Sequence, residues 1–194
     1  MYKETERMEN EVLNCIFARS SIRAYTDEKL TDDEISTLAD VALAAPTAMN
    51  AQTQRFFFIT DKEIISDWEN AVADEIAKSG PEPMKERMRE RKGRVFYNAP
   101  LFIAVAIDKN GHFTMCDSGI AVSHLALAAK SMGLDSVILG LPDLAFQGER
   151  GESIRKRIGI PEELDFAIGI AIGHAAMDKA PHDSDNSHVI YVND

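Results

Sequence analysis

Residues 117–132 read as a strongly apolar, alanine-rich helix carrying Ile120, Ala121, Leu125, Ala128 and Ala129. The helix lies between two apolar runs of strand length, Leu101–Ile107 and 136–139. Helices and strands bury their apolar faces by packing in layers, so such a stretch restricts the chain to mixed α and β architectures. Gly133 is placed to stop the helix, because glycine adopts the left-handed conformation cheaply. The spacing of Met8, Val12, Leu13, Ile16 and Phe17 predicts an earlier helix that ends near Arg19. Thr31-Asp32-Asp33-Glu34 reads as a capping box, with Ile35, Leu38, Ala39 and Ala42 on the inner face of the helix it opens. That helix breaks at Pro46.

Residues 55–60, with three consecutive phenylalanines, read as a strand buried on both faces. A helix follows over 62–78, and Gly80-Pro81-Glu82-Pro83 punctuates the chain. The basic segment 84–94 reads as partly helical, a solvated face with i,i+4 charge pairs. After the strand at 136–139 come a loop, a short helix over 152–158 and a strand over 166–172. The polar segment 178–187 leads into a last strand over 188–192. These elements alternate irregularly, which leaves α+β and α/β both open, and the strand order is not legible.

At 194 residues the chain is expected to be one domain, with a core large enough to need no disulfide or metal. Its net charge of −11 argues against nonspecific nucleic-acid binding, which requires basic surface to displace counterions. Cys15 and Cys116 lack CxxC spacing and are expected to be buried, unreactive thiols. The charged residues 1–10 have no apolar leader pattern, and no apolar run approaches the roughly 20 residues that span a bilayer. The expected compartment is the cytoplasm. The five histidines show no metal-ligand spacing, and no GxGxxG or Walker motif is present.

Two loops stand out for chemistry. Arg19-Ser20-Ser21-Ile22-Arg23 offers two guanidinium forks and two hydroxyls, which suit phosphate oxygens. The alternative is a helix-end cation and a surface pair. Ala45-Pro46-Thr47-Ala48-Met49-Asn50-Ala51-Gln52 offers hydrogen-bonding groups suited to the edge of a flat ring, against the alternative of an ordinary turn. The two loops together point to a flavin mononucleotide (FMN) site.

In these segments the chain resembles the FMN-dependent nitroreductase superfamily. Arg19, Ser21 and Arg23 match its Arg-x-Ser-x-Arg/Lys opening, and 45–52 its Ala-Pro-Ser/Thr-x-x-Asn-x-Gln. Phe96 to Pro100 match a Phe-Tyr-x-Ala-Pro segment. The helix containing Asp117, the run from Gly133 to Gly140, and Gly173 complete an ordered set covering most of 10–192. The chain departs from the pattern at Thr53, where many members have proline, at His124, where many have asparagine, and at Lys179-Ala180-Pro181-His182, where a Lys-x-Arg pair is common.

The resemblance implies an α+β fold, a three-layer α/β/α sandwich with a mainly antiparallel sheet, and a homodimer with FMN at its interface. Arg19, Ser20, Ser21 and Arg23 would then hold the phosphate and the flavin edge. Pro46, Thr47, Ala48, Asn50 and Gln52 of the partner subunit would border the ring, and Leu139 and Gly140 would line its other side. Lys179 and His182 are candidates for the C-terminal phosphate contact, and Arg94 for a cation near flavin N1 and O2. The last strand would cross to the partner's sheet; the alternative is that it covers an edge of its own subunit.

The implied activity is alternating hydride transfer through flavin N5, from NADH or NADPH to a small-molecule acceptor such as a nitroaromatic or quinone. Other flavin chemistry on the same scaffold (dehydrogenase, dehalogenase) or non-catalytic flavin binding are the alternatives.

Overall fold

The computed structural model describes residues 8–108 and 110–192. The charged residues 1–7, part of the segment read above as lacking a leader, lie outside it. In chain order the elements are α1 (Glu11–Ala18), α2 (Asp32–Ala44), β1 (Arg55–Ile59), α3 (Lys62–Ser79), α4 (Glu82–Glu90), β2 (Leu101–Ile107), α5 (Thr114–Ser131), β3 (Asp135–Leu139), α6 (Gly151–Ile158) and β4 (Asp165–Gly173).

The four strands form one antiparallel sheet in the order β1-β2-β4-β3. Every residue of β2 is buried, as its unbroken apolar sequence requires of a central strand. Alternation along the strands sends Phe102 and Ala104 to one face, with Trp68, Val72 and Ile76 of α3 and Ile154 of α6. Ile103 and Val105 go to the other face, with Leu38 and Ala42 of α2 and Val122, Leu125 and Ala129 of α5. The result is helix, sheet and helix in three layers, the expected sandwich. Trp68 is fully buried among the edges of Phe96, Phe102, Phe146 and Phe166, and its indole N–H donates to the Pro142 carbonyl at 2.9 Å.

Local sequence accounts for the element ends. Thr31 and Glu34 form the reciprocal capping box, and Asn10 and Asp61 cap α1 and α3. Gly133 takes a φ of +79°, and the next amide, Leu134, donates back to Ala129 to close α5. α5 begins three residues earlier than 117, and a 3-10 segment, Leu141–Gln147, occupies the loop after β3. In α4, Arg89 pairs with Glu82 seven residues back (2.7 Å) rather than through an i,i+4 contact.

Three other expectations are corrected. β1 is half-buried rather than buried on both faces, because it is an edge strand with a neighbour on one side only. Cys116 is exposed, since it lies in the first turn of α5 on the side facing away from the sheet, and Cys15 is only partly buried. Met8, just before α1, and Val12, Ile16 and Phe17 on it are all exposed in the single chain. Residues 188–192 form no strand; they are exposed after a 3-10 turn at Asn186–His188, since a single chain brings no strand alongside them. Among the described residues no helix is long and apolar enough to cross a membrane.

Candidate functional site

The chain leaves α1 at Arg19 and runs extended beside the outer edge of β3. Ser21 pairs with Ser136 there in the parallel sense, and the Ile22 amide donates to the Ser136 carbonyl at 3.1 Å. It then turns along the end of β4, where Tyr25 pairs with Ala175. The Tyr25 hydroxyl donates to the carbonyls of Ile22 (3.0 Å) and Ala171 (3.2 Å), tying the loop to the sheet. Burial, reinforced by the negative charge of Asp135 and the neighbouring Tyr97 and opposed by Arg23, pushes the Tyr25 hydroxyl far above the usual tyrosine range.

Phe96 to Pro100 pack behind this loop. A side chain on Gly173 would come within 2.5 Å of Pro100 and 3.1 Å of Tyr25, so only glycine lets these segments meet. Ser20 is buried in the loop. Arg19 and Arg23 form no ion pair with any described residue; Arg23 reaches only the Ser21 carbonyl, at 3.5 Å. Ser136, 2% exposed, keeps a buried hydroxyl with no hydrogen-bond partner among the described residues.

Leu139 and Gly140 end the same β3 strand. Leu139 is buried and Gly140 exposed, and a Cβ built on Gly140 meets nothing within 4 Å. The strand therefore joins a phosphate-suited loop at its start to an open glycine shelf at its end.

Residues 46–52 lie elsewhere. The Ala48 amide donates to Asp117 Oδ1 (3.1 Å) in the first turn of α5. The arginine loop lies beyond the other end of that helix, where Lys130 Nζ holds Asp135 at 2.9 Å. Thirteen residues of helix put the two ends on the order of 20 Å apart. One chain therefore does not bring Arg19–Arg23 and Thr47–Gln52 together.

Within the second loop, Met49, Asn50 and Gln52 all take left-handed φ values (53°, 54° and 48°), a strained run for side-chain-bearing residues. Thr47 Oγ1 accepts the Gln52 amide at 3.1 Å, and Asn50 Oδ1 accepts Gln52 Nε2 at 2.6 Å. This leaves the Thr47 hydroxyl hydrogen, the Asn50 amide group and the Gln52 carbonyl as groups the loop can present to a ring edge.

Arg94 sits in the turn between α4 and β2, with its side chain 56% exposed and Nη1 3.6 Å from Glu69 Oε2. The other Glu69 oxygen accepts the Val95 and Phe96 amides at 2.5 and 3.0 Å. Lys179 and His182 are exposed on the segment after β4. Ala176 donates to the Ala24 carbonyl (2.9 Å), so Lys179, three residues on, lies within about 10 Å of extended chain from the arginine loop, and His182 within about 20 Å. Glu69, Tyr25 and Asp117 as anchors of these loops were not legible. For Glu69 no sequence signal exists, since its contacts lie 26 and 27 residues away.

The nitroreductase family model matches residues 16–174. The chain belongs to the nitroreductase family. A nitroreductase of Desulfitobacterium hafniense, solved with bound FMN, is 35% identical, covering 96% of this chain and 100% of that one with a TM-score of 0.91. An FMN reductase [NAD(P)H] of Bacillus subtilis is 26% identical over 95% of this chain and 76% of its own length. An iodotyrosine deiodinase of Thermotoga neapolitana is 24% identical over 80% of this chain and 84% of its own. Against this nitroreductase background, the unpaired arginines, the orphaned Ser136 hydroxyl and the open space over Gly140 fit a phosphorylated, flat cofactor.

Proposed function

We propose that the protein is an FMN-dependent NAD(P)H oxidoreductase, a single domain that works as a homodimer with a cofactor site made by both subunits. The observation that carries this reading is the pair Arg19 and Arg23. In a chain of net charge −11 they form no ion pair with any described carboxylate, on a loop paired to Ser136, whose buried hydroxyl has no partner among the described residues. Charge-assisted bonds from such guanidinium groups contribute about 1.5–3 kcal/mol each.

FMN, when bound, supplies hydride transfer at N5, from NADH or NADPH to a nitroaromatic, quinone or similar small acceptor. The chain's own residues bind and orient. Arg19, Ser20, Ser21 and Arg23 hold the phosphate, with Lys179 in reach and His182 as a weaker second contact. Leu139 and Gly140 form one wall. Pro46, Thr47, Ala48, Asn50 and Gln52 of the second subunit border the ring, a placement that the separation along α5 supports. Arg94 supplies positive charge toward the pyrimidine edge.

The exposed apolar residues Met8 before α1, Val12 and Ile16 of α1, Leu43 of α2 and Met115 of α5 provide surface for the subunit contact. In this reading residues 188–192 cross to the second subunit and extend its sheet at β1. Beside that edge a groove of about 420 Å³ runs between β1 and α2, lined by Gln54, whose buried side-chain N–H lacks an acceptor among the described residues. A truncation after Ser187 that stays dimeric and keeps FMN removes the crossing from the proposal.

The visible spectrum of the purified protein, followed by anaerobic titration with NADH and with NADPH, tests the whole reading. The expected result is a flavin spectrum bleached by at least one nicotinamide, with steady turnover once a quinone or nitroaromatic is added. A colourless protein that cannot be reconstituted with FMN overturns it. FMN binding without turnover leaves only a flavin-holding role.

A further inference from the structure

Asp117 is 4% exposed and carries a carboxylate in the first turn of α5. Among the described residues its side chain makes one hydrogen bond, accepting the Ala48 amide at 3.1 Å, and it pairs with no cation. Burying a carboxylate for a single amide is costly, and the positive end of the helix dipole offsets only part of that cost. A neutral serine or asparagine would accept the same amide more cheaply.

The loop it holds is the strained one. Left-handed φ values at Met49, Asn50 and Gln52 persist only where surrounding contacts over-determine them. The side-chain bonds from Gln52 to Thr47 and Asn50 are internal to the loop and do not fix it to the body of the protein. The bond from Ala48 to Asp117 does.

We propose that Asp117 is a positioning residue, whose buried carboxylate clamps the Ala48 amide and so holds Thr47, Asn50 and Gln52 in the shape that meets the flavin of a second subunit. This rests on the reading of 46–52 as a flavin-bordering loop. Asp117 touches no flavin itself. It sets how much of the loop's binding capacity is organised in advance, so its removal acts on cofactor affinity rather than on the electron chemistry.

The test compares wild type, Asp117→Asn and Asp117→Ala. Two readouts are used: FMN titration by fluorescence quenching, and amide hydrogen exchange of residues 46–52 in the cofactor-free protein. Wild-type FMN binding is the check on the underlying reading; if wild type binds no FMN, that reading fails whatever the variants do. Given wild-type binding, Asp117→Ala is expected to weaken FMN about tenfold or more and to speed exchange at Ala48. Asp117→Asn, which keeps an acceptor oxygen, is expected to restore most of both.

Wild-type affinity in a folded Asp117→Ala protein overturns the proposal, as does a loss in Asp117→Asn equal to that in Asp117→Ala. Should Asp117→Ala not fold, the wild-type exchange pattern decides. Slower exchange at Ala48 than at Met49, whose amide has no acceptor among the described residues, supports the clamp. Equal rates overturn it.

Discussion

Gly140→Ala separates the needs of the fold from those of the ligand. Gly140 has a φ of −95° and a ψ of −20°, values open to any residue, and a Cβ there finds no atom within 4 Å. The protein without cofactor therefore has no reason to keep glycine. Replacing glycine where alanine fits stabilises by about 0.4–1 kcal/mol through the unfolded state. For a chain of this length that is roughly 1–4 °C in Tm.

With the flavin lying over this shelf, the same methyl group intrudes on the ring. Overpacking costs about 1–3 kcal/mol, which converts to an FMN affinity roughly 5- to 150-fold weaker. The assay is thermal unfolding of the cofactor-free protein at fixed concentration, beside FMN titration. Gly173→Ala is the contrasting case, since its Cβ would meet Pro100 at 2.5 Å; it is expected to lower Tm by roughly 2–12 °C even without FMN. If Gly140→Ala binds FMN as tightly as wild type while remaining folded, Leu139 and Gly140 are not a wall of the site.

Three further outcomes are expected. The folded-state pKa of Tyr25 is raised, so its contribution to stability is complete below the unfolded value of about 10 and is lost as pH rises beyond it. Tyr25→Phe should be less stable by about 1 kcal/mol at neutral pH, from the lost hydroxyl bonds, and should lose less further stability between pH 10 and 12; parallel curves for the two proteins contradict this. Arg94→Ala should lower the FMN midpoint potential by about 30 mV, equivalent to about 1.4 kcal/mol in a two-electron couple, and an unchanged potential removes Arg94 from the ring's surroundings. Gly119 lies exposed in mid-α5 with open space around it. In a lone helix Gly119→Ala would gain about 1 kcal/mol, but with a second subunit against that face it should instead weaken dimerisation, read by sedimentation at two concentrations.

What was legible in the sequence was what local physics determines. The capping box at Thr31, the stop at Gly133 and the wholly apolar β2 each carry their signal within a few residues. The arginine loop and 46–52 stood out in the sequence because donors and acceptors concentrate there. Position in the sheet was not: β1 looked like a fully buried strand because its phenylalanines carry no mark of being at an edge. Nor were the anchors legible. Glu69 holds Val95 and Phe96, and Asp117 holds Ala48 from 69 residues away; a carboxylate accepting a distant backbone amide leaves no pattern in either segment. The apolar stripe of α1 was legible as a stripe, and the single chain leaves it exposed. Periodicity reports that a face is apolar, not what covers it.

The proposed homodimer would account for both that uncovered stripe and the divided loops. α5 holds the arginine loop at one end and the strained 46–52 loop at the other, on the order of 20 Å apart. If both loops hold FMN, each protomer on its own would carry halves of two different sites. A second copy set antiparallel along α5 would bring each arginine loop to the other's 46–52 loop, and would cover Met115 and the α1 stripe in the same step. Affinity for FMN and affinity between subunits then become one linked quantity. A ligand that binds only the assembled pair stabilises it by about 2.7 kcal/mol at a hundred times its dissociation constant. The strain at Met49, Asn50 and Gln52 belongs in the same ledger, since a loop already held in its bound shape loses little entropy when the second subunit's cofactor arrives.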